Sequence, residues 1–488
     1  KDEIGSKLPG DFHAKDDGKV YYEDKAGSGD SESEDDSYVE HPPLTEDEIN
    51  DLISQGYIPV ASADELQQIN DTSGIEKTWG AGTDYETLHI GGLDQKYIQV
   101  QDIDLISYSS WIPVGIHPGL PFAGEYNGGN FTISNFNITE NTGYNTAGLF
   151  GSLGNTDTVK LSNIKIDAIN INVSDNNAAV LVGDAGYASL NDLYIENIKI
   201  TNANINSSEN AGGLTGDIRT NNEVTIENIL FDGDLTGRNV GGLASTVTGS
   251  NIISTIKDIT IKGNMSGNDY TAGGIIGYAR TNIDTIENIS IEGNISGSGG
   301  SGGLIGSVGS MGEGTTIGTI KDITIKGDIS SPDYIAGGII GQVYTNIDTI
   351  ENISIEGNIS GSGGSSGYSG GLIGSIGWGS TIGTIIDITI KGDILSTSTA
   401  GGIIGGAYAN IDTIKNIIIK GDILSTNYAA GGIIGEAQSN IDTIENISIE
   451  GNISGSVYSG ELIGFIGEDT TIGTIIDITI NGYMYIPE

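Results

Sequence analysis

The fifteen-residue string IDTIENISIEGNISG decides the fold of this chain, because it occurs unchanged at residues 283–297, 347–361 and 441–455. Its apolar residues alternate with polar ones, as in a strand with one buried face. In the first copy the residues expected to point inward are Ile286, Ile289, Ile291 and Ile295. Nearly all apolar residues of the repeat are Ile, Val or Leu, and β-branched Ile favours strand over helix. The string therefore predicts short strands that recur along the chain.

A glycine-rich motif recurs beside these strings and sets their period. Its first copy is AGLFG ending at Gly151, later copies read AGGIIG or SGGLIG, and the eleventh ends at Gly464. The ten intervals cover 464 − 151 = 313 residues and range from 29 to 35. A mean period of about 31 residues with several short strands is typical of one coil of a parallel β-solenoid, whose coils bury their isoleucines by stacking. We therefore predict an all-β parallel solenoid of about eleven coils.

Two further positions repeat from coil to coil and support stacking in register. Side chains that bond coil to coil explain the first position, which holds Asn or Asp in every coil. Its residues are Asn163, Asn197, Asn228, Asp258, Asn288, Asp322, Asn352, Asp387, Asn416, Asn446 and Asp477. Charge mostly alternates at the second position, which favours correct pairing over a register slip. Its residues are Asp232, Lys262, Glu292, Lys326, Glu356, Lys391, Lys420 and Glu450.

Residues 44–140 carry a different pattern from the repeat that follows. The segments Thr45–Glu48 and Ser62–Glu65 have the sequence of capping boxes, each of which opens a short helix. A β-rich stretch with most of the chain's aromatic bulk follows them. We predict a small α+β cap over residues 44–140 that closes the N-terminal mouth of the solenoid. The solenoid itself is predicted over residues 141–488 and ends in an uncapped strand.

Residues 1–43 form an acidic, low-complexity tail with 13 acidic and 5 basic residues, a net charge of 5 − 13 = −8. This composition is typical of disorder, so we expect the tail to be ordered only in an assembly, as an inter-subunit arm. Calcium prefers carboxylate and carbonyl oxygens. The candidate residues for weakly bound Ca²⁺ are Asp16, Asp17, Asp30, Glu32, Glu34, Asp35 and Asp36. The residues expected to dock as short strands on a neighbour are Tyr21, Tyr22, Tyr38 and Val39.

The composition excludes several functional classes. The chain has 65 acidic and 20 basic residues, a net charge of 20 − 65 = −45, which argues against nucleic acid or an anionic membrane as partner. It has no Cys, so disulfide scaffolds, thiol catalysts and Cys-ligated metals are excluded. No apolar run approaches the roughly 20 residues that span a bilayer. Because Lys1 is not Met, we expect a processed end from which any leader has been removed.

Several stretches of the chain carry a family resemblance. They are ADELQQIN, YIQVQDIDL, WIPVG, FAGEYNGGNFTISNFNI and the repeated [AS]GG[LI][IT]G. These stretches resemble the start and the repeat of GLUG-motif surface proteins, over about residues 60–480. The resemblance implies a right-handed parallel β-helix and a secreted or cell-surface location in bacteria or archaea, but no single activity. Some relatives carry a zinc peptidase domain beside the repeat, and this chain has no HExxH motif.

Carbohydrate binding and carbohydrate chemistry are the alternatives to a structural role. Lyases and hydrolases need two acidic groups at a defined separation in a cleft. Here acidic residues recur at the same positions in successive coils, and the clearest break is Glu461. We therefore expect no catalytic residues. An adhesin or glycan-binding protein is the main alternative, because tyrosines precede several glycine motifs and can stack on sugars, although they can also shield a corner of the solenoid. They are Tyr270, Tyr334, Tyr368, Tyr428 and Tyr458.

The C-terminal end favours self-assembly. The last coil reads TTIGTIIDITINGYMYIPE, and an isoleucine-rich strand edge follows from its final strand. An uncovered solenoid edge is a surface for another molecule, and a heterologous contact that does not close produces a filament. We expect a non-enzymatic extracellular structural protein that assembles head to tail into a surface filament or sheath without a required cofactor. The expected interface residues of this coil are Ile475, Ile478, Ile480, Tyr483 and Tyr485.

Overall fold

The computed structural model divides the chain into two units, residues 1–36 and residues 37–488. The first unit contains an antiparallel pair of strands, β1 (Phe12–Ala14) and β2 (Val20–Tyr22). The second unit is a parallel β-solenoid, which confirms the predicted fold class. The structure describes residues 12–14, 20–22, 38–71, 73–81, 84–115, 119–139, 146–174, 177–310, 314–364 and 367–485.

The described part of residues 44–140 combines two helices with eight strands. The helices are α1 (Glu46–Ser54) and α2 (Ala63–Gln68). The strands are β3 (Ile58–Val60), β4 (Ile75–Ala81), β5 (Asp84–Ile90), β6 (Lys96–Gln99), β7 (Ile103–Asp104), β8 (Glu125–Asn127), β9 (Thr132–Ser134) and β10 (Asn137–Ile138).

Both helices begin where the capping sequences predict. At α1 the box is reciprocal: the Thr45 side chain accepts from the Glu48 N–H, and Glu48 Oε2 accepts from the Thr45 N–H at 2.8 Å. At α2 the Ser62 hydroxyl accepts from the Glu65 N–H at 3.2 Å. The Glu65 carboxylate instead accepts from the N–H of Ala61 at 2.7 Å and from Lys77 at 2.6 Å. The second box is therefore one-sided.

Each later coil contributes a short strand at its glycine motif and further strands on the remaining sides. The short strands form an eleven-stranded parallel sheet. They are β11 (Thr146–Ala147), β13 (Asn177–Ala179), β15 (Ala211–Gly212), β18 (Val240–Gly241), β21 (Thr271–Gly273), β24 (Gly300–Gly302), β28 (Ala336–Gly337), β32 (Tyr368–Gly370), β36 (Thr399–Gly401), β40 (Ala429–Gly431) and β44 (Tyr458–Gly460).

The remaining strands belong to one 32-stranded sheet that also includes β3 and β6 to β10. They are β12 (Phe150–Val173), β14 (Val182–Ser207), β16 (Thr215–Ile218), β17 (Glu223–Gly237), β19 (Ala244–Lys262), β20 (Met265–Gly267), β22 (Ile276–Glu292), β23 (Ile295–Gly297), β25 (Ile305–Gly309), β26 (Thr316–Lys326), β27 (Ile329–Ser331), β29 (Ile340–Tyr344), β30 (Asn346–Glu356), β31 (Ile359–Gly361), β33 (Ile373–Ile376), β34 (Thr381–Lys391), β35 (Ile394–Ser396), β37 (Ile404–Ala407), β38 (Asn410–Lys420), β39 (Ile423–Ser425), β41 (Ile434–Ala437), β42 (Ile441–Glu450), β43 (Ile453–Gly455), β45 (Ile463–Ile466), β46 (Ile472–Asn481) and β47 (Met484–Tyr485).

The solenoid has about twelve turns rather than eleven. Strands before the first glycine motif already stack in parallel: β3 pairs with β6, β6 with β8, and β8 with β12. A count of glycine motifs misses these strands, because the motif first ends at Gly151. The region predicted as a cap therefore shares the sheet of the solenoid.

Isoleucines fill the interior as the repeat predicts. Ile286, Ile289, Ile291 and Ile295 are at most 2% exposed. Neighbouring coils approach each other closely at the glycine motif. For example, a Cβ on Gly405 would lie 2.5 Å from the carbonyl oxygen of Gly374. Only glycine allows that approach, so the motif is a requirement of coil stacking.

The predicted Asn/Asp position forms a ladder that is bonded at each Asn and interrupted at each Asp. All eleven residues have a positive φ, between 53° and 58°. Asn and Asp tolerate this left-handed conformation better than other non-glycine residues. Asn197 donates to Asn163 at 2.9 Å, and Asn352 donates to Asp322 at 2.6 Å. Each residue thus turns the chain between two inward-facing strand segments, and its side chain bonds to the preceding coil where it is an Asn.

The predicted charge position is in register from coil to coil, and Lys420 pairs with Glu450 at 3.6 Å. A second alternating position lies beside the ladder, where Lys321 pairs with Glu287 at 3.0 Å. Exposed pairs of this kind contribute only about 0.2–1 kcal/mol each. Their main effect is on register.

Candidate functional site

The last coil leaves its outer edge uncovered within the part of the chain that the structure describes. Strand β46 pairs with β42 on one side. Ile475 is 45% exposed, whereas its register partner Ile444 is fully buried. The other predicted interface residues of this coil comprise two half-buried isoleucines and two exposed tyrosines: Ile478, Ile480, Tyr483 and Tyr485.

Large exposed apolar side chains are concentrated on the last coil. The last coil holds eight of them: Val457, Tyr458, Ile466, Ile475, Ile476, Tyr483, Met484 and Tyr485. Residues 38–139 hold five: Val39, Ile75, Ile106, Ile112 and Leu120. The many coils between these regions hold only five: Ile252, Tyr270, Trp378, Leu395 and Ile418.

Residues 38–44, which we call the strap, lie across the first coils of their own chain. The Leu44 N–H donates to the Gly129 carbonyl at 2.9 Å. Glu40 bridges Lys165 and Lys199 at 2.7 and 2.5 Å. These contacts place the C-terminal part of the predicted inter-subunit arm within the molecule.

The N-terminal half of the strap continues onto the Asn ladder. The Val39 N–H donates to Asn228 Oδ1 at 2.7 Å, and Asn228 Nδ2 donates back to the Val39 carbonyl at 3.0 Å. The Tyr38 N–H donates to Thr260 Oγ1 at 3.3 Å. Burial raises the pKa of Tyr38, and the negative charge of Glu40 adds to the effect. Tyr38 and Val39 therefore bind an intramolecular surface here.

The other tail predictions concern side chains that the structure does not describe. Tyr21 and Tyr22 belong to β2, of which only the backbone is described. The candidate calcium residues Asp16, Asp17, Asp30, Glu32, Glu34, Asp35 and Asp36 lie outside the described residues. Within the described ranges no group of three or more His, Asp or Glu side chains is placed to hold a metal ion.

One position on the solenoid wall varies from coil to coil, and we call it the variable column. It follows the last residue of each glycine motif and is aligned by the strand register. Its residues are Ser152, Asp184, Asp217, Thr246, Tyr278, Ser307, Gln342, Ser375, Gly406, Glu436 and Phe465. Most outward columns vary less than this one, so this column is a main source of chemical difference between coils.

At its N-terminal end the variable column holds two buried carboxylates on adjacent coils. Asp184 and Asp217 are 3% and 4% exposed. Arg219 Nε donates to Asp217 Oδ2 at 2.6 Å, and its guanidinium lies 3.7 Å from Asp184. A glycosidase needs two carboxyl groups that face a sugar from an open cleft. These two face a guanidinium instead, which compensates one of their two negative charges.

Near its C-terminal end the column forms a cavity of about 460 Å³ between two tyrosines and a carboxylate. Glu436 lies in β41 and is 8% exposed. Its Oε1 accepts from Gln438 Nε2 at 2.8 Å, and its Oε2 accepts from the Tyr368 hydroxyl at 3.5 Å. Tyr428 and Ser398 line the same cavity. We call this arrangement the Tyr–Glu pocket.

Aromatic rings surround the Tyr–Glu pocket on both sides. The Tyr368 and Tyr408 hydroxyl oxygens are 2.7 Å apart, and the Trp378 ring lies 5.3 Å from Tyr408. Tyr428 packs against Phe465 of the last coil at 5.8 Å. Burial raises the pKa of Tyr368, Tyr408 and Tyr428, and in each case the charge of Glu436 adds to it. These phenols therefore remain protonated hydrogen-bond donors at neutral pH.

The five predicted tyrosines do not form a single cluster. Tyr368 and Tyr428 line the Tyr–Glu pocket, and Tyr458 contacts Tyr428 with ring centroids 5.4 Å apart. Tyr334 lies nearer the N-terminal end of the solenoid, where its hydroxyl accepts from Gln342 at 3.4 Å. Tyr270 stands apart under the Arg238 guanidinium, 4.4 Å from it.

Sequence reasoning missed Glu436, Tyr408, Trp378 and Phe465. The signal was present, because the residue after each glycine motif departs from the repeat in almost every coil. Glu461, the break that the sequence did draw attention to, is exposed on the last coil. A comparison of coils position by position finds the variable column. The pocket itself depends on residues from several coils.

Comparison with known proteins adds little. No family model matches the chain and no curated protein matches it, so the resemblance to GLUG-motif proteins stays a prediction. A crystal structure described as a candidate immunoglobulin A1 protease from Bacteroides ovatus is similar over 88% of this chain and 84% of that one, with 14% identity and a TM-score of 0.27. A likeness at this level supports no statement about activity. None of the helices described here is long and apolar enough to cross a membrane.

Proposed function

We propose that this chain is a non-enzymatic structural subunit that assembles head to tail, through the two ends of its solenoid, into an extracellular filament or sheath. The observation that carries the proposal is the concentration of large exposed apolar side chains on the last coil, which holds eight of the eighteen in the described residues. Burial of a large apolar side chain contributes about 1.5–3 kcal/mol. A contact that covers the last coil therefore has a substantial driving force.

The edge of the last coil is suited to a strand-forming partner. Among the described residues, β46 pairs with β42 alone, and Ile475 and Ile476 are each 45% exposed. Another coil of the same repeat is a natural complement to this edge. In the proposed assembly, a coil of a second copy pairs with this edge. Contact between unlike ends does not close on itself and so propagates.

Two properties of the solenoid surface favour a structural role over catalysis. Most outward positions repeat from coil to coil, so they offer a uniform surface and no unique centre. The one buried carboxylate pair of the variable column, Asp184 and Asp217, is bound by Arg219. The net charge of −45 keeps finished fibres apart in solution. An extracellular location is part of the proposal and rests on the resemblance of the sequence to GLUG-motif surface proteins.

Self-association of the 488-residue chain tests the proposal. Light scattering after size exclusion and electron microscopy should show polymers that lengthen with concentration. Ile475→Asp places a charge on the open edge and should leave monomers. Ile252→Asp is the matched control, because Ile252 is similarly exposed, at 41%, but lies in the middle of the solenoid.

Two results would contradict the proposal. A wild-type chain that stays monomeric at every concentration has no functional end contact. A species that stops at a dimer indicates that two C-terminal edges pair with each other, which closes the assembly.

A further inference from the structure

We propose that the Tyr–Glu pocket binds a neutral oligosaccharide on the side of the solenoid. The pocket lies between coils and is formed by Tyr368, Ser398, Tyr428 and Glu436. This inference goes beyond the structural role, because binding on the side wall requires no contact between subunits.

The pocket has the groups that a sugar ring requires. A sugar presents apolar C–H faces together with hydroxyl groups that both donate and accept. Tyr428 supplies a half-buried aromatic surface, and the buried Glu436 carboxylate supplies acceptors. The Tyr368 hydroxyl and the Ser398 hydroxyl supply further polar contacts. Mostly apolar walls with a few fixed polar groups are typical of small-ligand sites.

A missing side chain makes room for the aromatic wall. Gly406 precedes Glu436 in the variable column by one coil. A Cβ at this position would lie 2.9 Å from the Tyr368 ring and 3.2 Å from the Tyr408 ring. Glycine therefore lets both rings lie over the backbone, and the paired hydroxyls of Tyr368 and Tyr408 are held 2.7 Å apart. The wall is thus fixed before any ligand arrives.

An exposed tryptophan extends the aromatic surface beyond the pocket. Trp378 is 62% exposed, although the side chains of most large apolar residues in these coils are buried. Its ring packs at 5.3 Å from Tyr408, which bonds to Tyr368 in the pocket wall. The surface from Trp378 to Tyr428 can therefore contact more than one sugar unit. We assign the site to an oligosaccharide for this reason.

The negative charge of the pocket favours a neutral ligand over an anionic one. Glu436 is buried and accepts from Gln438 and Tyr368, and the described residues that line the pocket include no Lys or Arg. An anionic sugar would have to approach this carboxylate without a compensating cation, on a chain of net charge −45. A volume of about 460 Å³ lies within the ordinary range of ligand pockets.

Calorimetry with defined sugars tests this assignment on the full 488-residue chain. The probes are cellotetraose, laminaritetraose, mannotetraose and chitotetraose, with tetragalacturonate as the anionic comparison. We expect at least one neutral probe to bind with a Kd of about 1 mM or tighter. Tyr428→Ala and Glu436→Ala should each weaken it about tenfold, because they remove an aromatic wall and a charged acceptor. Glu436→Gln keeps the shape and should lose less.

The control variant is Tyr270→Ala, since Tyr270 is 47% exposed but is paired with Arg238 far along the chain from the pocket. Its affinity should equal that of the wild type. A far-UV spectrum and an unchanged unfolding midpoint establish that each variant is folded.

Three results would overturn the assignment: no neutral probe binds, Tyr428→Ala and Glu436→Ala retain wild-type affinity, or tetragalacturonate binds more tightly than every neutral probe. The polymerisation assay of the proposed structural role is unaffected by any of these results, so the two proposals fail separately.

Discussion

The two ends of this solenoid differ in how their outermost strands are covered. At the N-terminal end, α1 and α2 bury Ile49 and Leu66, which are 6% and 0% exposed. At the other end, Ile475 and Ile476 are each 45% exposed on a strand that has a neighbour on one side. The strands are of the same kind at both ends. What differs is whether a non-repeating segment of the described chain covers them.

This difference shows where the repeat is sufficient and where it is not. A repeating coil stabilises itself only through its neighbours. The first coil therefore needs a segment of different sequence, and residues 44–140 provide one with helices and aromatic side chains. The last described coil has the sequence of an inner coil but the exposure of a surface. Its exposed strand edge can therefore pair with a further coil.

The largest expected difference is in the free energy of unfolding, between alanine variants of an inner isoleucine and of its register partner on the last coil. Ile444→Ala empties a fully buried position and should lower the free energy of unfolding by about 2–5 kcal/mol. Ile475→Ala, one coil further, should lower it by about 1 kcal/mol or less, since Ile475 is already 45% exposed. Urea unfolding followed by circular dichroism, at concentrations below assembly, measures both. Equal losses would mean that the last coil is covered in solution.

A smaller effect is expected on the Asn ladder. Asn163 has a φ of 56°, donates to Asn127 and accepts from Asn197, at 3.0 and 2.9 Å. Asn163→Ala loses these bonds and strains the backbone, so we expect a loss of about 2–3 kcal/mol. Asp477→Ala should lose only about 1 kcal/mol, mainly from its strained φ, because the last coil has one neighbour.

Glycine at the same positions separates the two causes. Asn163→Gly removes the side-chain bonds but keeps the positive φ without strain, so it should be less destabilising than Asn163→Ala. If both variants are equally destabilised in urea, the backbone conformation contributes nothing and the ladder acts through its hydrogen bonds alone.

The smallest effect concerns the strap on the N-terminal coils. Burial raises the pKa of Glu40, but its bonds to Lys165 and Lys199 outweigh this and hold the pKa below the ordinary glutamate value of 4.5. A carboxyl with a lowered pKa stabilises the docked state above its ordinary range and loses that effect as pH falls through the lowered pKa. Because Glu40 is largely exposed, the contribution should be about 1 kcal/mol or less.

Hydrogen exchange at the Val39 amide measures strap docking, because this amide donates to Asn228. Its protection factor should fall below pH 4.5 and should also fall at neutral pH in Glu40→Gln. Glu48→Gln is the control: Glu48 has a lowered pKa from its bonds to Thr45 but makes those bonds within the α1 cap. Protection that persists unchanged in acid would show that Asn228 alone holds the strap.

Much of the fold could be predicted because its causes are local and repeated. The string of residues 283–297 fixes which isoleucines face inward, and each glycine motif marks a close approach of coils. The Asn ladder was predicted as a stack of side chains. Its positive φ was not predicted, although Asn and Asp are the non-glycine residues that best tolerate this conformation. The additional turn was missed because its strands have no glycine motif.

The sites depended on distances that no local pattern contains. The strap joins Val39 to Asn228 and Glu40 to Lys199, and an extended segment gives no sign of the surface it will cover. The Tyr–Glu pocket joins Tyr368 to Glu436 across two coils, 68 residues apart. The tyrosines were recognisable as a set, but only the structure separates Tyr270, which packs under Arg238, from the two that line a cavity.

The sequence by itself determined the solenoid, its period, its buried isoleucines and its register, because each of these follows from interactions that recur identically in every coil. Only the tertiary structure decided which coils carry chemistry. Stacking brings residues about one period apart to within about 4.8 Å of each other, so single departures from the repeat, such as Gly406 and Glu436, become neighbours. The Tyr–Glu pocket forms only when the stacking of regular coils brings these non-repeating residues next to each other.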